Sequence, residues 1–163
     1  MTAASACAIL TAGRSTRVYP PDCGASTDAR CDVRSGMCPL GEQTLTRVLI
    51  VDDLAAFRRR LRRLLAEGGL AVVGEAGDIP SAEAQVELLQ PDLAIVDVML
   101  PGVNGIDGTS RLKALMPGMR VILISAYSDQ GDVFREAAEE VGAEAFVCKD
   151  DLDLRTVRRW KHM

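Results

Sequence analysis

The chain shows two regular patterns of apolar and polar positions from residue 46 onward. Short apolar runs rich in β-branched residues predict strands, and stretches whose apolar residues recur every three or four positions predict helices. Predicted strands span residues 47–51, 71–75, 93–98, 121–125 and 145–148. Predicted helices run from 54 to a glycine pair at 68 and 69, and over 81–90, 105–116, 129–141 and 152–161. This alternation indicates an α/β fold, a parallel sheet with helices on both faces.

Three predicted helices carry features that bear on packing. Gly108 lowers the stability of the third helix by about 1 kcal/mol relative to Ala. The first helix contains a group of arginines, which we interpret as a solvated face: Arg58, Arg59, Arg60, Arg62 and Arg63. The apolar positions of the fourth helix are predicted to face inward: Val133, Phe134, Ala137, Ala138 and Val141.

The first 45 residues follow neither pattern. They are rich in Gly, Pro, Ser, Thr and Cys, and their charges cancel, so they offer little apolar surface to bury. We expect residues 1–45 to be a disordered N-terminal extension and residues 46–163 to be the folded domain. Met37 is an alternative start, which would remove residues 1–36 from the native protein.

Composition excludes several classes of protein. The chain of 163 residues is 48% apolar but only 4% aromatic, which suits one aliphatic core. A net charge of −4 without a basic patch or reading motif predicts no direct DNA binding. No apolar run is long enough to span a membrane, and no positive region precedes residues 3–12 as in a signal peptide. We therefore expect a cytoplasmic protein.

The five cysteines match no paired zinc-binding pattern. We interpret them as unpaired cytosolic thiols. They are Cys7, Cys23, Cys31, Cys38 and Cys148.

Polar side chains follow four of the predicted strands. Asp52 and Asp53 come after the first strand, and Asp97 lies at the end of the third. Ser125 ends the fourth strand, and Lys149 follows the fifth. Because ligands bind at the carboxyl ends of parallel strands in open sheets, we expect these side chains to form one site.

Three carboxylates at one edge repel each other and call for a cation. An open, oxygen-rich site suits Mg²⁺, which keeps several waters and accepts a phosphate oxygen. A carboxylate can also act as a nucleophile and form an aspartyl-phosphate. The Ser125 hydroxyl and the Lys149 ammonium would balance the incoming charge, since phosphoryl transfer depends on positioning and electrostatic stabilisation.

Four segments together resemble the receiver domains of bacterial response regulators. They are Val51-Asp52-Asp53, residues 95–105 with the sequence IVDVMLPGVNG, Ser125-Ala126, and Phe146-Val147-Cys148-Lys149. The resemblance covers residues 46–160 and is closest to the receivers that precede helix-turn-helix output domains. Because the chain ends at Met163, we expect a stand-alone receiver domain. The resemblance implies a flavodoxin-like, doubly wound (βα)5 fold with strand order 2-1-3-4-5.

The resemblance also implies a role for each site residue. Asp97 would be the phosphoacceptor, and Ser125 and Lys149 would hold the phosphoryl oxygens. The Mg²⁺ ligands would be Asp52, Asp53, Asp97 and the backbone carbonyl of Met99. Phe146 would be a switch residue whose rotamer follows Ser125. Helix four, strand five and helix five would form the face that changes, and Pro101 and Gly105 would shape the loop after Asp97.

Family members often have Pro after the conserved lysine, joined by a cis peptide bond. Here Asp150 follows Lys149, and a cis bond before a residue other than proline costs about 2.5–4 kcal/mol. The sequence leaves the geometry of this bond open.

The implied partners are a histidine kinase or phosphotransfer protein and an unknown output protein. The last helix also allows a phosphorylation-dependent homodimer through its basic residues, Arg155, Arg158, Arg159 and Lys161. Beyond forming and hydrolysing its own aspartyl-phosphate, the protein is not expected to be an enzyme.

Two other functions stay open at this stage. One is a Mg²⁺-dependent phosphohydrolase with an aspartyl-phosphate, although Met99 stands where one such family needs a second Asp. The other is a phosphorylation-independent adaptor. The site residues also have simpler readings. Asp53 could cap the first helix, Asp97 could cap a loop turn, and Phe146 could be core packing. Ser125 could be a structural residue at a strand end, and Lys149 a solvated surface lysine.

Overall fold

The computed structural model describes residues 45–127 and 131–161. The predicted extension, the alternative start at Met37 and the four cysteines of that segment lie outside these residues. Five strands alternate with five helices. The elements are β1 Arg47–Val51, α1 Ala55–Gly68, β2 Ala71–Ala76, α2 Ile79–Leu89, β3 Leu93–Asp97, α3 Gly105–Leu115, β4 Arg120–Ser125, α4 Gly131–Glu140, β5 Ala145–Cys148 and α5 Leu154–Trp160.

The sheet is parallel throughout, with the order β2-β1-β3-β4-β5. The predicted α/β class and the doubly wound order 2-1-3-4-5 are therefore confirmed. The register aligns the strand ends that carry the predicted site. Val51 pairs with Val96, Asp97 with Ile124, and Ser125 with Cys148. The residues at the carboxyl ends of β1, β3, β4 and β5 thus lie along one edge.

Two apolar clusters lie on opposite faces of the sheet. One cluster joins Leu49 and Val96 to residues of α2, α3 and α4, including Leu112. The other joins Ile50 and Ile95 to residues of α1 and α5. Every residue of β3 is buried, because this central strand is covered on both faces. The aliphatic core predicted from the composition fixes the strands whose ends carry the polar residues.

Three helices begin at different residues from those predicted. The first begins at Ala55, one residue later than predicted. The second begins at Ile79, because the Asp78 side chain accepts a hydrogen bond of 2.8 Å from the Ser81 N–H and Pro80 fits a first turn. The fifth begins at Leu154, after a short 3₁₀ turn over Lys149–Asp151. The described part of the fourth helix starts at Gly131.

The inward orientation predicted for Val133 is wrong, because its side chain is 66% exposed. Phe134 packs against the core and Ala138 is buried. A helix turns by about 100° per residue, so Val133 lies well away from the face that Phe134 presents to the sheet.

Gly108 has a packing role that offsets its low helix propensity. A Cβ atom at this position would overlap the Ile79 side chain, because α3 approaches α2 closely there. The glycine that weakens α3 locally therefore permits the contact between these two helices.

Candidate functional site

Asp52 is completely buried at the end of β1, and its polar groups all have partners. Its N–H donates to the Ala76 carbonyl at 3.0 Å, and its Oδ1 accepts from the Leu54 N–H at 2.8 Å. Its Oδ2 accepts from Lys149 Nζ at 2.6 Å, and its carbonyl accepts from Arg58 Nη1 at 2.6 Å. The position of this carboxylate is thus fixed before any ligand binds.

Asp97 ends β3 and is only 3% exposed. Its Oδ1 accepts from the Met99 N–H at 3.2 Å, and its Oδ2 accepts from Lys149 Nζ at 2.7 Å. The Gly105 N–H donates to the Val98 carbonyl at 2.9 Å, which brings the start of α3 against the strand end. A Cβ atom on Gly105 would overlap the Asp97 carbonyl oxygen, so this close approach requires glycine.

Asp53 is exposed and completes a group of three carboxylates. One carboxylate oxygen from each of Asp52, Asp53 and Asp97 lies within 4.8 Å of the others. All three donors are hard oxygen atoms, two of them on buried residues, which is the donor chemistry that suits Mg²⁺. The alternative in which Asp53 caps the first helix is wrong, because the N-cap residue of α1 is Leu54.

Met99 lies two residues beyond Asp97 with a half-exposed side chain. Its N–H fixes the Asp97 carboxylate, as described above. The use of its carbonyl as a metal ligand stays a prediction.

Lys149 bridges two of the acids. The residue is 8% exposed, and its ammonium donates to both Asp52 and Asp97. The ammonium also lies 4.4 Å from the centroid of the Phe57 ring, in the range of a cation–π contact. The Lys149–Asp150 bond is trans, since the residues that the structure describes contain no cis peptide bond.

Burial and ion pairing act against each other in this cluster. Burial raises the pKa of Asp97, although the hydrogen bond and charge of Lys149 pull it down. Burial lowers the pKa of Lys149, but its hydrogen bonds to Asp52 and Asp97 outweigh burial, so the Lys149 pKa is raised. The distances of 2.6 and 2.7 Å from the Lys149 ammonium to the carboxylates of Asp52 and Asp97 are those of charge-assisted hydrogen bonds, so the cluster is held together by ionised groups.

Ser125 and Phe146 lie on the β4–β5 side of the sheet. Ser125 is completely buried, and its Oγ accepts from the Tyr127 N–H at 3.1 Å. The half-buried Phe146 ring packs against Phe134 of α4, with ring centroids 5.7 Å apart. This contact supports the core-packing reading of Phe146, and its switch role stays a prediction.

Three residues near the site were missed by the sequence reasoning. Arg58 was assigned to a solvated face, yet its side chain is only 20% exposed and contacts both Asp52 and Glu75. Phe57 lies inside the first predicted helix and Glu75 at the end of the second predicted strand, and neither residue was assigned a role at the site. The available signal was the placement of Arg58 one helical turn beyond Leu54, which puts its side chain back over the β1–α1 turn.

A family model for the response regulator receiver domain matches residues 48–157. The chain belongs to the response regulator receiver domain family. It is a receiver domain of a two-component system, as its sequence resemblance indicated. Receiver domains interact with histidine kinases or phosphotransfer proteins and with output domains. This membership does not favour the phosphohydrolase or the adaptor alternative.

Curated relatives match the domain to different extents. The DNA-binding transcriptional activator DevR/DosR of Mycobacterium tuberculosis is 37% identical over 118 residues, which cover 72% of this chain and 54% of that protein. Chemotaxis protein CheY of Thermotoga maritima is 35% identical over 103 residues, covering 63% of this chain and 84% of CheY. The receiver chain thus spans about half the length of DevR/DosR and most of CheY.

A solved structure supports the same fold. A chain in the crystal structure of the CheX-CheY-BeF3-Mg²⁺ complex from Borrelia burgdorferi is 26% identical to this receiver domain, with a TM-score of 0.62. The match covers 69% of this chain and 84% of that chain.

Within the described part of the receiver domain, every helix is too short or too polar to cross a bilayer.

Proposed function

We propose that this receiver domain is a phosphorylation-controlled switch in which Asp97 accepts the phosphoryl group. The observation that supports this proposal best is the surroundings of the buried Asp97 carboxylate. It accepts a hydrogen bond from the Lys149 ammonium at 2.7 Å, and one of its oxygens lies within 4.8 Å of oxygens of Asp52 and Asp53. A carboxylate oxygen of Asp97 attacks the phosphorus atom of a phosphohistidine. The P–N bond breaks, the imidazole leaves with the bonding electrons, and an aspartyl-phosphate remains.

Asp52, Asp53 and Asp97, with the Met99 carbonyl, would hold Mg²⁺ in this proposal. Mg²⁺ supplies a positive charge that neutralises negative charge on the phosphoryl oxygens. The oxygen-only donor set fits this ion, and Mg²⁺ is a component of the related CheX-CheY complex. Among the residues of this chain, Asp52 is held rigidly while Asp53 is open to solvent.

Ser125 and Lys149 are proposed to bind the phosphoryl oxygens. Lys149 already contacts the acceptor carboxylate, so its ammonium needs only a small movement to reach an oxygen attached there. Ser125 ends the strand next to β3, one residue beyond the partner of Asp97. Its hydroxyl accepts a backbone hydrogen bond, which leaves its proton to donate.

The face formed by α4, β5 and α5 is proposed to carry the change to a partner. Ser125 and Phe146 lie on adjacent strands, so a movement of Ser125 toward the phosphoryl group alters the space beside the Phe146 ring.

The phosphoryl donor would be a histidine kinase or phosphotransfer protein, and the partner that binds the changed face would be an output protein or a second copy of this domain. The receiver would act in the cytoplasm without turning over a metabolite.

Phosphorylation by a small donor tests this proposal. With acetyl phosphate and Mg²⁺, we expect intact-mass measurement to show one added phosphoryl group per chain, and none after chelation of the metal. Asp97→Asn should show none, because an amide is not a nucleophile for this step. Asp132→Asn, which changes an exposed acid paired with Arg135, is the matched control and should be phosphorylated normally. Full phosphorylation of Asp97→Asn would contradict the proposal.

A further inference from the structure

Arg58 contacts the acid cluster through the backbone carbonyl of Asp52. Its Nη1 donates to the Asp52 carbonyl at 2.6 Å, and the side chain is 80% buried. The β1–α1 turn contains only Asp52, Asp53 and Leu54, and the Leu54 side chain does not cap the helix. Four hydrogen bonds hold Asp52 at the start of this turn. Its N–H donates to the Ala76 carbonyl, and its side chain accepts from the Leu54 N–H and from Lys149. Its carbonyl, which leads into the turn, accepts from the Arg58 side chain.

Glu75 holds the Arg58 guanidinium in this position. Arg58 Nε donates to Glu75 Oε2 at 3.2 Å, and Arg62 contacts Glu75 Oε1 at 2.6 Å. Glu75 lies on β2 opposite Ile50 of β1, two residues before Asp52 along the neighbouring strand. A carboxylate at this place keeps the arginine directed at the carbonyl oxygen and away from the three carboxylates.

We propose that Arg58 is a positioning residue for the cation site and that Glu75 orients it. This inference rests on the proposed function, because it assigns a purpose to the geometry of a Mg²⁺ site. By fixing the Asp52 carbonyl, Arg58 fixes the turn that presents the carboxylates of Asp52 and Asp53. Partners outside the ligand set are known to orient metal ligands in this way.

Charge alone predicts the opposite effect from positioning. Arg58 is a positive charge close to a cation site, so its removal should tighten Mg²⁺ binding if only Coulomb repulsion mattered. If positioning dominates, the same removal should weaken Mg²⁺ binding. The sign of the change therefore separates the two accounts.

The experiment compares Arg58→Met with Arg59→Met in the full chain. Arg59 is the adjacent, exposed arginine of α1, so its replacement removes the same charge without touching the turn. Calorimetric titration with Mg²⁺ alone, without a phosphoryl donor, should give a roughly tenfold higher Kd for Arg58→Met. Arg59→Met should bind Mg²⁺ as tightly as the unmodified protein or slightly more tightly.

A second measurement needs no metal. Hydrogen exchange at the Leu54 amide should be faster in Arg58→Met than in Arg59→Met, because the turn that protects this amide loses its anchor. Glu75→Gln, a milder change, should speed the same exchange to a smaller extent. Arg58→Lys should recover part of the Mg²⁺ affinity, since one ammonium donor can still reach the carbonyl.

The outcomes separate this inference from the proposed function. Absence of Mg²⁺ binding in the unmodified protein would contradict the proposed function, while the Leu54 exchange rates would still decide the role of Arg58. Tighter Mg²⁺ binding in Arg58→Met, or Leu54 exchange equal in the two variants, would overturn the positioning role.

Discussion

The two sides of the candidate site differ in how deeply their elements are packed. On the acid side, β3 is buried at every residue, β1 is buried from Val48 to Val51, and α1 buries Leu61 and Leu65. On the β4–β5 side, β4 is buried from Val121 to Ser125, but only Cys148 is buried in β5, and only Ala138 among the described residues of α4. Elements with few buried contacts open at lower free-energy cost. β5 and the described part of α4 are therefore the less deeply packed elements around the site.

Hydrogen bonding shows the same difference. Asp52 and Asp97 each have both carboxylate oxygens engaged, and both share Lys149. The Ser125 hydroxyl accepts one hydrogen bond, from a backbone N–H. The Phe146 ring contacts Phe134 and is partly buried against the apolar core. The two buried carboxylates are therefore held by more side-chain hydrogen bonds than the Ser125 hydroxyl or the Phe146 ring.

Replacing Lys149 with Ala should produce the largest loss of stability. It leaves Asp52 and Asp97 buried without their cation, which should lower the metal-free unfolding free energy by about 3 kcal/mol. Mg²⁺ binding should survive, because the carboxylates remain, and Mg²⁺ should raise the Tm more in this variant than in the unmodified protein. Denaturant unfolding with and without Mg²⁺ measures both effects.

Lys113→Ala is the control for that prediction. Lys113 donates to the Met119 carbonyl at 3.2 Å, away from the acids, so its loss should cost less than about 1 kcal/mol. If Lys149→Ala instead abolished Mg²⁺ binding, the assignment of Lys149 to the phosphoryl oxygens would be wrong.

Replacing Gly105 with Ala should have the next largest effect. The added methyl overlaps the Asp97 carbonyl, so the backbone of the acid side must shift, at about 2 kcal/mol of unfolding free energy. Mg²⁺ affinity should fall as well. Gly118→Ala provides the comparison, because no atom lies within 4 Å of a Cβ there. Equal stability of the two variants would show that the acid side is less rigid than described.

Replacing Phe146 with Leu should have the smallest effect. It removes the ring contact with Phe134, which is worth about 1 kcal/mol. Mg²⁺ affinity should stay unchanged, while the protection of the α4 amides against hydrogen exchange should fall. A double-mutant cycle with Phe134→Leu isolates the ring contact. A loss of Mg²⁺ affinity in Phe146→Leu would show that packing on the β4–β5 side also controls the acid side.

The pattern of the sequence predicted the sheet, the helices and the acid cluster, because each depends on local periodicity or on strand ends meeting at one edge. It placed Val133 on the wrong face, since adjacent apolar residues of a helix point in directions about 100° apart and composition does not choose between them. The position of Arg58 over the β1–α1 turn had a local signal, but its contact with Glu75 did not, because the place of Glu75 depends on the β1–β2 register, which shifts between Val48 and Leu49. No local pattern encodes such a shift.

Gly108 is a second residue whose packing role could not be predicted from the local sequence. Its low helix propensity was visible in the sequence, but the reason for tolerating it was the close approach of Ile79 from α2. Helix propensity depends on the residues of one helix, whereas this contact depends on how two helices pack against each other.

The central claim is that Asp97 is the acceptor within a cation-dependent site. Its most direct test is to treat the protein with acetyl phosphate and Mg²⁺, reduce it with borohydride and map the product by mass spectrometry. An aspartyl-phosphate is reduced to homoserine, so the account predicts homoserine at position 97 only, and none when Mg²⁺ is chelated. Homoserine at another aspartate, or equal yield without Mg²⁺, would contradict it.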